Sequence, residues 1–345
     1  MSRALYRSHE LAFRTQYAEL KERTRAAGEL LPGTPGSLAL RKGTGTGYWY
    51  RVYYPVPGKP HDALVCKEGD DDSLADMRER IAFGEWTAKQ VSSLRKLDFQ
   101  VADKATARVL VELHNRGAFA AGLVLVGTLG YMAWLNELGA IAVSASTMDP
   151  RRQKLRLAAP LPFLETMKAT GLPFVPVPGL PSSAPSTSVK LPGVQALRVD
   201  ILAPGDVLGT VVRGPELEWT AQAIPYYDYL LADAEPGALL AGGHCVPVRL
   251  PQAARLVWHK LYASTQRQGF PEKAAKDRQQ ALVLGAVIAE NEPHDLLEAF
   301  HHAPKQMVSP IRSLSDKLLE AASVHPAWAE TLRSCLRMQG SIAIK

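Results

Sequence analysis

The chain has 345 residues and 46% hydrophobic residues, enough for about two or three compact units and too apolar for wholesale disorder. A net charge of +6 allows a polyanionic partner without requiring one. Cys66, Cys245 and Cys335 are far apart and form no CxxC pair, which argues against a disulfide framework or a structural zinc site.

Residues 1–31 read as a helix, with Leu5, Leu11, Tyr17 and Leu20 among many charges, broken by "LPGTPG" at 31–36. The N-terminus is charged throughout and lacks the apolar core of a signal peptide. The stretch "SLALRKGTGTGYWYRVYYPVPGKPHDALVCKEG" alternates in strand fashion and predicts a β-hairpin or three-stranded meander. A helix follows from the "DDDSLADMRERIAFGEWTAKQVSSLRKLDF" segment. Ser73 is the candidate N-cap, and the acidic run sits at the positive end of the dipole.

A helix is expected over 105–117, then a short buried strand over 122–128, "GLVLVGT". "LGYMAWLNELGA" predicts a helix closed by Gly139, and "AIAVSASTMD" a second strand. The apolar run through this region carries three glycines, which suits a strand and helix better than a membrane span. "LPFLETMKATG" reads as a helix stopped by Gly171. "LPFVPVPGL" and "TSVKLPG" flank a Pro/Ser-rich loop, and "VQALRVDILAP" reads as a strand ending near Asp200. Residues 225–252 look like a hairpin or short meander. From 251 onward the pattern is helical, with a last helix near 307–323. The expected organisation is an N-terminal helix, aromatic hairpin and helix over 1–100, an α/β core over 101–250 and a helical region over 251–345. A soluble, cytoplasmic protein with no membrane partner is the expectation.

Candidate chemistry begins at Gly127 and Thr128. A strand running through Gly-Thr into a helix offers bare backbone N–H groups and a hydroxyl, a ready anion site. Asp149, in "STMDPRR", ends the second strand, and Asp200, in "LRVDILAP", stands at or near the end of a third. An Asp-x-Asp strand end directs two carboxylates to one side and can hold a divalent cation. Here Pro150 and Arg151 follow Asp149.

This order, Gly-Thr and helix, Asp strand, Asp strand, resembles the DNA polymerase β-like nucleotidyltransferase superfamily. The resemblance extends to a family of bacterial nucleotidyltransferase-like proteins. It is carried by Gly36-Ser37 and "GYWYRVYY", the segment 125–139, the segments 171–178, 186–188 and 199–202, and the segments 246–261 and 273–281. It covers roughly residues 1–300 and implies an α/β (α+β) nucleotidyltransferase fold, a mixed sheet with flanking helices and a helical C-terminal region. It implies transfer of a nucleoside monophosphate from a nucleoside triphosphate to an RNA or protein hydroxyl, with Mg²⁺ or Mn²⁺. Gly127 and Thr128 would hold phosphate, Asp149 and Asp200 the metal, and Asp200 would act as base for the acceptor hydroxyl. Lys260 and Lys276 would neutralise the triphosphate, with Asp277 orienting one of them. Minimal relatives include toxins that modify transfer RNA, so an antitoxin partner is a further expectation.

The sequence departs from the family at Arg151, a cation where the second Asp of Asp-x-Asp belongs. Two readings stay open. Asp149 and Asp200 hold one Mg²⁺ and the enzyme works, or Arg151 binds phosphate and the chain is a catalytically weakened nucleotide- or nucleic-acid-binding protein of the same fold.

Other residues read more plainly. Periodicity turns Trp258 and Leu261 inward and leaves Lys260 to reach outward. Lys273 fits a solvated helix face, and His259 either the cleft or the core. Tyr48, Tyr50 and Arg51 fit packing first and RNA contact second. "GTGTG" at 43–47 lies between strands and is no dinucleotide motif. His244-Cys245 lacks partners at ligand spacing, and His301-His302 reads as a helix end.

Overall fold

The structure, a computed structural model, describes residues 4–43, 45–56, 58–143, 161–179, 183–193, 196–267 and 269–337. The chain opens with a short strand, β1 (Tyr6–Ser8), and a helix, α1 (Leu11–Ala27), rather than one long helix. Tertiary partners override helix propensity at the start. The His325 ring accepts the Leu5 N–H at 3.0 Å, Tyr6 donates its hydroxyl to Glu290, and β1 later pairs with another strand. In α1, Tyr17, Leu20 and Thr24 form one buried stripe.

The expected meander is present as β2 (Ser37–Lys42), β3 (Gly47–Val56) and β4 (Lys59–Lys67), all antiparallel. Helix α2 (Asp71–Lys96) follows. Its N-cap is Asp70, not Ser73: the Asp70 carboxylate accepts the Ser73 N–H at 3.2 Å. The helix starts one residue past Asp70, so Ser73 sits at the third helical position, where its N–H is the donor a cap must satisfy. Val91 and Leu94 of α2 pack with Tyr17 and Leu20 of α1 and with Phe99.

The central part begins with β5 (Val101–Ala102), α3 (Lys104–Asn115), α4 (Gly127–Glu137) and β6 (Ala140–Ala142). Strand β6 is antiparallel to β1. The expected 122–128 strand is an extended run with a bridge at Val124, where the Leu125 N–H donates to the Arg249 carbonyl at 2.8 Å. Helix α4 is buried continuously from Thr128 to Asn136, as its nearly all-apolar sequence requires. Gly139, at φ +64°, ends it.

Next come α5 (Phe163–Ala169), β7 (Val175–Pro176), β8 (Ser188–Lys190), β9 (Arg198–Asp200) and β10 (Leu202–Pro204). The strand expected to end near Asp200 does end there, as β9, because the chain changes partners at Ile201. Its N–H donates to Thr187 beside β8, and its carbonyl accepts from Gln222 in the next sheet. That sheet is completed by β11 (Val211–Gly214) and β12 (Trp219–Ile224). A short helix, α6 (Tyr227–Leu231), precedes the hairpin β13 (Glu235–Ala241) and β14 (His244–Leu250), and β5 adds to it in parallel.

The remainder is helical: α7 (Ala253–Gln266), α8 (Pro271–Asn291), α9 (Pro293–His301), α10 (Lys305–Arg312), α11 (Ser315–Ala321) and α12 (Pro326–Arg337). The helix expected near 307–323 is two helices, and α12 lies beyond it. One hydrophobic cluster runs from Leu5 through Leu129, Val199 and Leu239 to Trp258 and Leu336, so the α/β part and the helical part share a core. No helix among the described residues is long and apolar enough to cross a membrane.

Gly285 marks where α8 meets α12. A Cβ there would strike the buried Trp328 ring, 2.9 Å from Cη2 and closer to Cε2 and Cζ2. Glycine to alanine inside a helix normally stabilises by about 0.5–1 kcal/mol. At this seam overpacking dominates, at about 1–3 kcal/mol. Gly285→Ala is expected to lower the thermal midpoint; a raised midpoint would show the seam to be open.

Candidate functional site

Gly127 and Thr128 open α4. Gly127 holds φ +71°, a conformation glycine adopts without steric cost, and Thr128 is buried. The N-cap residue, Val126, has no side-chain acceptor for the first turn. The backbone N–H groups at this helix start therefore suit an anion.

Asp200 ends β9 opposite Ser188 of β8 and is only 3% exposed. Arg198 Nε donates to Asp200 Oδ1 at 2.7 Å, and the same guanidinium donates to Ser188 Oγ at 2.8 Å. Arg198 was not singled out from the sequence. Its signal was there, since residues two apart on a strand share a face, and Arg-x-Asp puts a cation beside the carboxylate. Asp149 and Arg151 lie outside the described residues.

Lys260 does not reach outward as its helical spacing suggested. It is 4% exposed, because α7 packs against α8 on that side as well, alongside the buried Val257, Trp258 and Leu261. Its Nζ donates to Gln280 Oε1 at 2.6 Å and lies 3.4 Å from Asp277 Oδ1. Arg267 closes on the other Asp277 oxygen. Burial pulls the Lys260 amine below its usual range, against the opposing pull of Asp277. Burial alone would raise the Asp277 carboxyl, but Lys260 and Arg267 outweigh it and bring it below the ordinary value. The half-buried Lys276 lies close enough to act on both charges. Gln280 and Arg267 were missed. Gln280 lies one helical turn from Asp277, a spacing that sequence shows, whereas Arg267 reaches Asp277 across a loop that no periodicity describes.

Of the predicted site residues, Lys260 and Asp277 are thus joined directly. Gly127 and Thr128 stand on α4, which packs against α8, and Asp200 on β9, whose Val199 belongs to the same core cluster as Leu129 and Leu261. No group of three His, Cys, Asp or Glu side chains able to hold a metal occurs among the described residues.

The remaining candidates have structural surroundings. His259 packs against Tyr227 and Tyr262, with ring centroids 4.8 and 6.0 Å away. Lys273 lies over the Phe270 ring at 5.1 Å. Arg51 is no phosphate contact: it is 3% exposed and donates to the carbonyls of Pro32, Thr34 and Pro35. The meander turns this side chain inward, where the 32–35 loop needs donors. Tyr48 is exposed, and Arg41 lies over Tyr50. His244 bonds to the Leu31 carbonyl, and His301 and His302 are exposed.

No curated protein and no solved structure matches the chain. Residues 104–304 match a family model described as Nucleotidyltransferase. That span runs from the start of α3 past the end of α9 and takes in the Gly127 turn, Asp200 and the Lys260–Asp277 pair. It covers more than half of the sequence, and the chain belongs to this nucleotidyltransferase family.

Proposed function

We propose that the chain transfers a nucleoside monophosphate from a nucleoside triphosphate to a hydroxyl on RNA or on a protein, with Mg²⁺ or Mn²⁺. The observation that carries the reading is a buried lysine held between a carboxylate and an amide, Lys260 with Asp277 and Gln280, inside the matched span. A fixed cation at the α7–α8 seam is what the charge developing on a pyrophosphate leaving group needs. Lys260 is a positioning charge, and the half-buried Lys276, one residue before Asp277, is the lysine assigned to the triphosphate. The N–H groups at Gly127 and Thr128 hold phosphate.

The donor chemistry fits a single hard cation. Asp200 would supply carboxylate oxygen alongside its bond to Arg198, with Asp149, water and phosphate making up the rest. When bound, the ion neutralises triphosphate charge and acidifies the attacking hydroxyl. Two ions about 4 Å apart would need more carboxylates than Asp149 and Asp200 supply. A transfer RNA acceptor and an antitoxin partner belong to the same reading.

A second reading rests on Arg151, which stands two residues after Asp149 in the sequence, and on the Arg198–Asp200 pair, which sets a cation against a candidate metal ligand. The chain is then a nucleotide- or nucleic-acid-binding protein with transfer weakened or lost. Incubation with each α-labelled nucleoside triphosphate, Mg²⁺ or Mn²⁺, and total RNA or the protein itself separates the two. Label on an acceptor supports the enzyme. Nucleotide binding without label, little metal dependence, and weakened binding in Arg151→Ala support the second reading.

A further inference from the structure

A cavity of about 580 Å³ lies between the loop after α1, helices α2 and α3, and the tip of the β13–β14 hairpin. Its place differs from that of the transfer site. It touches His244 at the start of β14, whereas the run into Gly127 bonds to Arg249, five residues along the strand and so roughly 17 Å away. The volume falls within the usual range for small-molecule sites. Much of the wall is apolar, with Leu30, Leu31, Phe83 and Tyr54 among it.

The polar lining is sorted by depth. The carboxylates Glu29, Asp76 and Glu79 are all exposed at the mouth, and Glu29 is paired with Arg80 at 3.2 Å. The buried polar lining is Arg108 and Thr87. Arg108 is 6% exposed. Its guanidinium donates to the Ala169 carbonyl at 2.7 Å and to Glu112 at 3.3 Å, but Glu112 gives its other oxygen to Arg116 at 2.8 Å. Arg108 Nε and Thr87 Oγ1 have no hydrogen-bond partner among the described residues. Arg51, behind the 32–35 loop, is a second buried guanidinium whose hydrogen bonds, among the described residues, go to carbonyls.

Buried cations that share half a carboxylate are costly unless something neutralises them. Burial, with the charges of Arg80 and Arg108, brings the Arg51 guanidinium down to about 10 against an opposing pull from Tyr53. Burial, with Arg108 and Arg51, also lowers the His244 imidazole. Arg108 in the wall, with Arg51 behind the 32–35 loop, therefore sets buried positive charge beside a mostly apolar cavity.

We propose that this cavity binds a small organic anion, with its apolar body against Leu30, Leu31 and Phe83 and its carboxylate, sulfonate or phosphate directed at Arg108 and Thr87. The site is independent of the transfer reaction and stands whether or not label is transferred.

The probe is 8-anilinonaphthalene-1-sulfonate, titrated by fluorescence against the full chain. The uncharged N-phenyl-1-naphthylamine has the same body without the sulfonate. One saturable site is expected, at least tenfold tighter for the sulfonate. Arg108→Met should weaken it at least tenfold. Ala88→Phe, which fills the cavity from a half-buried position on α2, should do the same with the thermal midpoint kept within a few degrees. Ala88→Phe decides the matter if Arg108→Met does not fold. Absence of saturable binding, equal affinity for the two probes, or binding undiminished in Ala88→Phe would overturn the proposal.

Discussion

Asp200→Asn is expected to lower the rate of label transfer roughly a thousand-fold, a loss of about 4 kcal/mol of transition-state stabilisation, while the protein stays folded. The choice of asparagine matters. Asp200 is buried at the end of β9 and is tied to Arg198, which is also tied to Ser188. An amide keeps an acceptor for Arg198 and preserves the packing, so the change removes charge and little else. Asp200→Ala removes both and should be as inactive, with an added fall in thermal midpoint. If Asp200 served only as the partner of Arg198, Arg198→Ala would match Asp200→Ala in stability, and Asp200→Asn would keep transfer. More than a tenth of the wild-type rate in Asp200→Asn would sink the catalytic assignment. Arg198→Ala itself should leave the carboxylate without its bond at Oδ1, and metal dependence measured in that variant reports whether Arg198 competes with the ion.

The order of elements was legible because apolar spacing and turn residues are local. The meander, the run into α4, the stop at Gly139 and the helical end all follow from patterns within a dozen residues. What escaped was set by partners far away in sequence. Residues 6–8 are a strand because β6 and Glu290 receive them, and residues 202–204 form a separate strand because Ile201 bonds to two different sheets. The site divides in the same way. Gly127, Thr128 and Asp200 stand at a helix start and a strand end, as the sequence suggested. Lys260 was misplaced because helical periodicity assumes one buried face, while α7 is covered on more than one. Arg198 was readable from its spacing to Asp200; Arg267 was not, since only the fold brings it to Asp277.

Lys260→Met is expected to destabilise the protein by about 3 kcal/mol, the lower end for breaking a buried ion pair. The lower end applies because Asp277 keeps Arg267, which is partly exposed and adjusts at little cost. Asp277 nevertheless stays buried with half its former compensation, and Gln280 Oε1 loses its donor. The pH dependence has a definite sign. In the wild type the Asp277 carboxyl is lowered, so its contribution to stability is present above about pH 4 and lost as pH falls through the depressed folded value. Without Lys260 the carboxyl loses one of the charges that lower it and moves up, so protonation relieves the mutant at a higher pH than the wild type. The gap between mutant and wild type should therefore narrow as pH falls below about 4. Lys260→Met combined with Asp277→Leu removes both charges and should recover most of the lost stability, since apolar replacements of buried pairs are often neutral. Transfer behaves differently: both variants lack the fixed cation, and both should lose it. Thermal midpoints and label-transfer rates on the two variants separate the structural from the electrostatic role. A double variant that regains transfer along with stability would show that Lys260 only holds α7 to α8.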